Sequence, residues 1–259
     1  MKFLYLFIDL LTIAVPLLFS FYPKIKFYKS WKALSKAIVL AAVPFLILDS
    51  IFTSHGVWGF NRRYITGIYL CNLPIEEILF FICIPYSCVF TYYCLNKFYD
   101  ISWNKKSENI FCILFSLILL IAGFTFREKL YTCSTFISTA LLCMVLKFVA
   151  HIKWFGKAVS VFALLLLPFI IVNGILTGTG LSQPIVRYNI AEHLNIRLMT
   201  IPIEDFVYGF ELFLFNLYFY LRFINQFPFT QYLITDFEEN ETKRHLEHAN
   251  SEWNHNQKK

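Results

Sequence analysis

Two short stretches of the sequence decide the fold: residues 73–77, which read LPIEE, and residues 201–205, which read IPIED. Each stands at the head of a long apolar run, and each carries two acidic residues in succession behind the same proline. Acidic side chains are among the most costly to hold next to a bilayer. The same acidic pair in the same setting twice therefore indicates an internal duplication in which both copies keep their acids for a chemical role.

The composition around these stretches is that of a membrane protein. Of the 259 residues, 58% are hydrophobic and only 15% are charged, and the mean hydropathy is +0.57. Apolar runs of about 20 residues are long enough to cross the hydrocarbon core of a bilayer. Seven spans are predicted, at residues 3–22, 34–53, 73–95, 110–126, 130–150, 158–177 and 199–223. The fourth run is short and the fifth begins with polar residues, so six spans is the alternative count. The fold class is an all-α integral membrane protein.

The distribution of basic residues predicts the orientation of the chain. With seven spans, 16 of the 23 Lys and Arg residues fall on one side and 7 on the other. Cytoplasmic loops carry the excess of basic residues. The prediction is a multi-pass protein of the cell membrane with its N-terminus outside and its C-terminus in the cytoplasm. The net charge of +6 follows from this topology and requires no nucleic-acid partner.

An ordered series of matches supports the duplication. Residues 44–56 align with residues 168–180, 124 positions later, and Asn61 aligns with Asn189, 128 positions later, as do the two acidic stretches. Such a series is stronger evidence for a repeat than any single motif. Because one span separates the copies, they run in the same direction. The predicted division is a first three-helix repeat at 1–95, a linker with the fourth helix at 96–129, a second three-helix repeat at 130–225, and a polar cytoplasmic tail at 226–259.

The acidic pairs have two interpretations. Proline is favoured at the first helical position, which predicts that Pro74 and Pro202 begin helices and that Glu76 and Glu204 hold the third position. A Glu there often caps the helix, and capping alone is the simpler interpretation. A cap needs one carboxylate, however, and each copy has two. Crowded, partly desolvated carboxyls favour keeping a proton on one of them, and a neutral carboxylic acid is what a proton donor requires.

Other polar residues of the spans lie near the same boundary. Asp49 ends the second span, and Asn173 occupies the matching place in the sixth. Tyr208 and Glu211 follow Glu204 at helical spacing and are predicted to share its face. Asp9, a lone acid of the first span, is interpreted as a structural hydrogen-bonding residue rather than a catalytic one.

Several motifs are missing from the sequence. It has no G-x-G-x-x-G dinucleotide fingerprint and no aspartate-rich run of the kind that holds Mg²⁺ and a diphosphate. The seven cysteines are scattered through the apolar runs without metal-ligand spacing. The sequence therefore predicts acid and base chemistry with neither a cofactor nor a bound metal, on a substrate apolar enough to enter the bilayer.

The repeated motif resembles a known family. Residues 74–77, PIEE, and residues 202–205, PIED, together with Asp49 ahead of the GVWGF run at 56–60, are similar to the integral-membrane lycopene cyclases. These occur as two small subunits in actinobacteria and as one fused chain in archaea, some other bacteria and fungi. The resemblance covers about residues 1–225. It implies an acyclic, lycopene-like carotenoid as substrate and membrane lipid as surroundings, with other enzymes of carotenoid synthesis as candidate partners.

The resemblance also implies a reaction. A terminal trisubstituted double bond is protonated, a neighbouring double bond attacks the tertiary cation, and proton loss leaves a β-ionone ring, an isomerisation without net redox change. The hypothesis for the site follows from this reaction. Glu76 and Glu204 would donate or accept the proton, and Glu77 and Asp205 would tune them or take the departing proton. The supporting residues of the hypothesis are Asp49, Trp58, Phe60, Asn173, Tyr208 and Glu211, with Asp49 orienting the acids and Trp58 and Phe60 shielding the cation.

Three alternatives stay open at this point. A transporter with parallel three-helix repeats and a linker helix would also be duplicated. A cyclase could act on a C50 carotenoid or another isoprenoid. A non-catalytic membrane subunit would use the acids only as caps. Within the cyclase interpretation, one composite site between the halves is preferred, and one site per half is the alternative.

Overall fold

Residues 2–224 fold into seven α-helices, and a short hairpin precedes the third and the seventh of them. The structure is a computed structural model that describes residues 2–224, so the predicted tail at 226–259 lies outside the described residues. The helices are α1 (Leu4–Phe19), α2 (Trp31–Ser54), α3 (Ile75–Phe98), α4 (Lys105–Thr125), α5 (Leu130–Met144), α6 (Phe155–Leu176) and α7 (Ile203–Ile224). The predicted class, an all-α membrane protein, is confirmed.

Six of the helical segments are long and apolar enough to cross a membrane. The shorter one is α1, with 16 residues or about 24 Å of helix, and not the fourth or fifth helix as the alternative count supposed. Helix α1 ends where the Ser20 hydroxyl meets the Tyr86 hydroxyl of α3 at 2.6 Å. Helix α5 gains length because it continues into a π-helical turn, Val145–Val149.

Six two- or three-residue strands connect the helices at one end of the bundle, where α3 and α7 begin; this is called the acid end below. They are β1 (Trp58–Phe60), β2 (Tyr69–Leu70), β3 (Leu73–Pro74), β4 (Val186–Tyr188), β5 (Arg197–Leu198) and β6 (Ile201–Pro202). Strands β2 and β3 form a hairpin in the first repeat, and β5 and β6 form the same hairpin in the second.

The pairing of β1 with β4 relates the two repeats to each other. The strands are antiparallel, with Gly59 opposite Arg187, its equivalent 128 positions later. On either side, the Asn61 N–H donates to the Ile185 carbonyl and the Asn189 N–H donates to the Val57 carbonyl, both at 2.8 Å. Reciprocal bonds between equivalent residues define a pseudo-two-fold axis. It passes between Gly59 and Arg187 at the acid end, and because both repeats run in the same direction, it follows the bundle.

The hairpins correct the predicted position of the prolines. Pro74 has an extended backbone (φ −65°, ψ 151°) and pairs with Tyr69 in the hairpin. Helix α3 therefore begins one residue later than predicted, at Ile75, and Glu77 rather than Glu76 holds its third position. The reason is that a φ near −65° suits a strand end as well as a helix start.

The turn of each hairpin has the same backbone conformation. Cys71 and Met199 are both left-handed, with φ of 55° and 57°. Gly67 and Asn195, four residues earlier in each repeat, are left-handed too, at 89° and 59°. Glycine and asparagine are the residues that adopt this region most readily. The connections that lead into α3 and α7 therefore have the same backbone conformation.

The linker helix α4 packs along α5 and is held there by a buried ion pair. Lys147, on the π-helical turn, forms a salt bridge with Glu108 at the start of α4, and the other Glu108 oxygen accepts the Gly156 N–H at 3.0 Å. This contact lies at the end opposite the acid end. Lys147 counted among the basic residues that predicted the orientation, and it is buried rather than exposed in a loop.

Candidate active site

The first acid of each pair makes the same backbone contact in both repeats. Glu76 accepts the Thr66 N–H at 2.6 Å, and Glu204 accepts the Leu194 N–H at 2.7 Å, each donor lying ten residues before its acid. Glu204 also accepts the Thr132 hydroxyl at 2.6 Å. Both acids are fully buried, and the second oxygen of each has no partner among the described residues. These bonds tie the loop before the hairpin to the start of the helix.

The second acid of each pair accepts a tyrosine hydroxyl from the first helix of its own repeat. Tyr5 donates to Glu77 and Tyr131 donates to Asp205, both at 2.7 Å. Asp205 has a second donor, the Tyr188 hydroxyl on β4, at 3.0 Å. None of these donors is an amide of the acid's own helix, so these hydrogen bonds join the acids to other elements of the fold. The interpretation of the acids as caps alone is not supported by these contacts.

Asp49 connects the two repeats. Its carboxyl accepts the Tyr208 hydroxyl from α7 of the second repeat at 2.6 Å and forms a hydrogen bond with the carboxyl of Glu77. Two ionised carboxylates are both acceptors, so this bond requires a proton on one of them. The equivalent pair in the other half is Asn173 and Phe80, which form no such bond. The Tyr208–Asp49 bond between the repeats therefore has no counterpart at the equivalent pair of residues.

Trp58 lies over this connection. Its ring centroid is 5.1 Å from that of Tyr131, 5.8 Å from Tyr188 and 6.5 Å from Tyr208. These three tyrosines are the ones that donate to Asp205 and Asp49. Phe60, two residues along β1, is partly buried and packs between the clusters around Tyr5 and around Trp58. The aromatic residues predicted to shield a cation therefore lie at the acid end, beside both acid pairs.

Glu211 lies deeper in the second repeat. It accepts the hydroxyls of Ser138 and Thr139 on α5, at 2.9 and 3.1 Å. Glu204 and Glu211 both accept hydroxyls from α5, and the Tyr208 ring lies 6.1 Å from that of Tyr131 on α5 while its hydroxyl reaches Asp49 on α2. Asp9 is buried, at 1% exposure, and neither of its oxygens has a hydrogen-bond partner among the described residues. Its interpretation as a structural hydrogen-bonding residue is wrong.

Two groups with shifted pKa values lie outside the helices near the second acid pair, Tyr188 beside Asp205 and His193 near Glu204. Burial and the neighbouring Asp205 raise the pKa of the Tyr188 phenol well above its usual value, so this hydroxyl stays a donor. Burial and the nearby Arg197 lower the pKa of His193. His193 Nδ1 accepts the Asn195 N–H at 2.9 Å, so it cannot carry a proton without losing that bond, and Nε2 lies 3.2 Å from the cationic Arg197 guanidinium. The imidazole is therefore held neutral.

Sequence reasoning missed the tyrosines Tyr5, Tyr131 and Tyr188. A signal for the first two was present, since Leu4-Tyr5 and Leu130-Tyr131 are identical dipeptides 126 positions apart at the head of equivalent spans. Tyr188 had no such signal because Phe60 takes its place in the first repeat. Within residues 2–224, no group of three or more His, Cys, Asp and Glu side chains is placed to hold a metal ion.

Comparison with known families places the chain in one of them. The family model for lycopene cyclase matches residues 2–95 and 128–223, which is more than half of the chain and includes both acid pairs. The chain belongs to the lycopene cyclase family, and the resemblance seen in the sequence is confirmed. It is a multi-pass membrane protein and a carotenoid cyclase. Comparisons with curated proteins and with solved structures found no match.

Proposed function

We propose that this cyclase converts acyclic carotenoid ends into β-ionone rings by proton transfer at one composite site between its two repeats. The observation that carries the proposal is the bond from Tyr208 of the second repeat to Asp49 of the first. Together with the Trp58 ring against Tyr131, Tyr188 and Tyr208, it joins both acid pairs into one polar and aromatic cluster. Two independent sites would not require this connection.

In this proposal the proton donor is the Asp49–Glu77 pair. The two carboxyls share a proton, and a neutral carboxylic acid is the form that can protonate an alkene. Transfer to the terminal trisubstituted double bond leaves a carboxylate on the enzyme and a tertiary cation on the substrate. The neighbouring double bond then attacks the cation and closes the six-membered ring, which moves the positive charge into the ring.

The proton acceptor in this proposal is Asp205. Its two oxygens accept hydroxyls from Tyr131 and Tyr188, and hydrogen bonds to a carboxylate favour its charged form. Loss of a ring proton to Asp205 forms the ring double bond and cancels the positive charge. One proton enters the substrate and one leaves, so its mass and oxidation state are unchanged. The Trp58 face stabilises the intermediate cation by its ring quadrupole.

The contacts redistribute roles within the predicted set of acids. Glu76 and Glu204 make the same loop contact in both repeats, which is the behaviour of residues that hold the connection in place. Glu77, Asp49 and Asp205 have the hydroxyl and carboxyl partners expected of proton-transfer groups. We therefore assign proton transfer to these three residues. Glu76 and Glu204 are positioning residues in this proposal.

The location of the site belongs to the same proposal. The basic residues favour the cell membrane with the N-terminus outside, which puts the acid end at the outer face. The acids lie within the first turn of α3 and α7, so a carotenoid lying along the bundle would present its end group there. The β1–β4 pair covers the site from the water side.

The test is expression of matched variants in cells that accumulate lycopene, with pigments identified by chromatography and mass. We expect the native chain to give a cyclic isomer of unchanged mass. Glu77→Gln should lower the yield of cyclic product by about 10²–10⁴-fold, the usual contribution of a positioned acid or base. Glu76→Gln keeps an acceptor oxygen for the Thr66 N–H and should retain most activity. Loss of activity in Glu76→Gln but not in Glu77→Gln would instead assign the proton donor to Glu76.

The same experiment addresses substrate and ring type. An ε- or γ-ring in the product would overturn the β-assignment while leaving the cyclase chemistry in place. Lycopene recovered unchanged would contradict the proposal for this substrate, and cells that make a C50 carotenoid would then test the longer one.

A further inference from the structure

Each repeat carries a third acid at the same place in its fold, but on a different helix, and this acid is buried in the first repeat and half-buried in the second. In the first repeat this acid is Asp9 on α1, and it faces Cys83 on α3. In the second repeat the equivalents are Thr135 on α5 and Glu211 on α7, 126 and 128 positions later. The acid thus lies between the first and third helices of both repeats, about six residues deeper than Glu77 or Asp205. Both repeats therefore have a carboxyl at this place although a different helix supplies it in each, which points to a role for the carboxyl.

The surroundings of Asp9 contain acids and no base. The titratable groups that face it are Glu76, Glu77 and Cys83 of α3 and Tyr5 of its own helix. Helix α6, which also packs against α1, has Lys157 as its only charged residue, at the far end of the helix. An unpaired buried charge is costly, and Asp9 has no hydrogen-bond partner within residues 2–224. A proton on Asp9 removes that cost.

The supply of hydrogen-bond donors differs between the two clusters of carboxyls. The first-repeat cluster is Asp9, Asp49, Glu76 and Glu77, and the second-repeat cluster is Glu204, Asp205 and Glu211. Among the described residues, three donors reach the four carboxyls of the first cluster: Thr66 N–H, Tyr5 and Tyr208. Six donors reach the three carboxyls of the second cluster: Thr132, Leu194 N–H, Tyr131, Tyr188, Ser138 and Thr139. Donors stabilise carboxylates, so the second cluster favours the charged form more strongly than the first does.

We propose that the two repeats divide the proton transfer, with the first cluster donating and the second accepting, and that Asp9 is the carboxyl that keeps the Asp49–Glu77 pair supplied with its proton. The proposal rests on the proposed function, because it assigns directions within that reaction. In each turnover the Asp49–Glu77 pair gives one proton to the substrate, and Asp205 receives one from the ring. Asp9, on the helix that packs against α3 and Glu77, provides the replacement. Asp205 then releases the ring proton to water and Asp9 takes up one proton from water, which returns every carboxyl to its starting state.

The test is the pH dependence of cyclisation by the full chain in lipid vesicles loaded with lycopene. Without the Asp9 carboxyl, the Asp49–Glu77 pair must regain each proton from water, which becomes slower as the pH rises. Asp9→Asn should therefore move the alkaline limb of the rate profile to lower pH by about one unit, which lowers the rate on that limb about tenfold. Glu211→Gln is the matched change in the second cluster. It should leave the position of the alkaline limb unchanged, whatever its effect on the maximal rate.

A rescue variant separates this role from a structural one. Asp9→Thr combined with Cys83→Glu gives the first repeat the arrangement that the second repeat has, and it should return the alkaline limb toward its native position. Should the double variant fail to fold, as judged by its elution in detergent, the isosteric Asp9→Asn variant still decides the question. An alkaline limb at the native pH in Asp9→Asn, or an equal shift in Glu211→Gln, would overturn the division of roles. Failure of the native chain to cyclise lycopene would contradict the proposed function instead.

Discussion

The hydroxyl of Tyr208 offers the sharpest test of a composite site. It makes the 2.6 Å bond to Asp49 that joins the repeats, and Asp49 in turn meets Glu77. Tyr208→Phe removes one oxygen atom and keeps the ring. The fold accommodates phenylalanine at the equivalent position of the first repeat, where Phe80 packs against two hydrophobic clusters, one around Tyr5 and one around Phe45.

The size of the effect follows from the bond that is lost. A hydrogen bond to a charged or proton-sharing group contributes about 1.5–3 kcal/mol. If that energy acts on the transition state, the rate of cyclisation falls by about 10- to 150-fold. The effect should appear in the turnover rate rather than in substrate binding, because Tyr208 contacts the Asp49–Glu77 pair and not the length of the carotenoid.

The assay compares initial rates of lycopene consumption in membranes that contain equal amounts of the variant and the native chain. Tyr220→Phe is the matched control, since it makes the same change about 18 Å further along α7 and remote from the acids. We expect the control to keep the native rate within about twofold. A Tyr208→Phe rate equal to that of the control would refute the inference that the two repeats share one site through Asp49.

Two further predictions concern groups around the site. Trp58→Leu keeps an apolar side chain but removes the aromatic ring. It should slow cyclisation by about 5- to 30-fold, because a desolvated cation–π contact of about 1–2 kcal/mol is lost. Trp58→Phe should recover part of the rate in the same membrane assay, and equal rates for both variants would contradict a role for the ring. His193 should make stability depend on pH. Its pKa is lowered in the folded chain, so the unfolded chain binds more protons. The stability it contributes is full above the unfolded value of about 6.5 and is lost as the pH falls below that value. Thermal unfolding of the detergent-solubilised chain should show this loss as the pH falls below about 6.5. His193→Asn, which keeps an acceptor for the Asn195 N–H, should flatten the dependence, and an unchanged slope in that variant would assign the loss to other groups.

The sequence predicted the parts of the fold that depend on local pattern. Apolar runs gave the helices, because burial in a bilayer leaves a continuous signal along the chain. The repeat at offsets of 124 and 128 placed the acid pairs at one end, and Asp49 beside them. The exact helix starts were missed at Pro74 because a two-residue hairpin has almost no periodic signal.

Partners across the bundle were harder to predict from the sequence. The bonds from Tyr5, Tyr131 and Tyr208 join residues 72, 74 and 159 positions apart, and no spacing rule connects such residues. Asp9 was misjudged for a related reason. From the sequence, a lone acid in an apolar helix is expected to find a partner, and only the packed structure shows that α3 offers it other acids and a cysteine instead.

The comparison of the two repeats separates scaffold from chemistry. Contacts that occur in both, such as the Glu76 and Glu204 bonds to the loop and the Tyr5 and Tyr131 bonds to the second acid, are what either repeat needs to present its acids. Among the contacts that occur once are those of three residues that differ between the repeats: Asp49 against Asn173, Tyr188 against Phe60, and Tyr208 against Phe80. The bonds of Asp49, Tyr188 and Tyr208 lie at the acid end, where the proposed composite site would hold one end of the substrate. A duplicated enzyme with two equal sites has no reason to diverge there, whereas a single site that must both give and take a proton requires its two sides to differ.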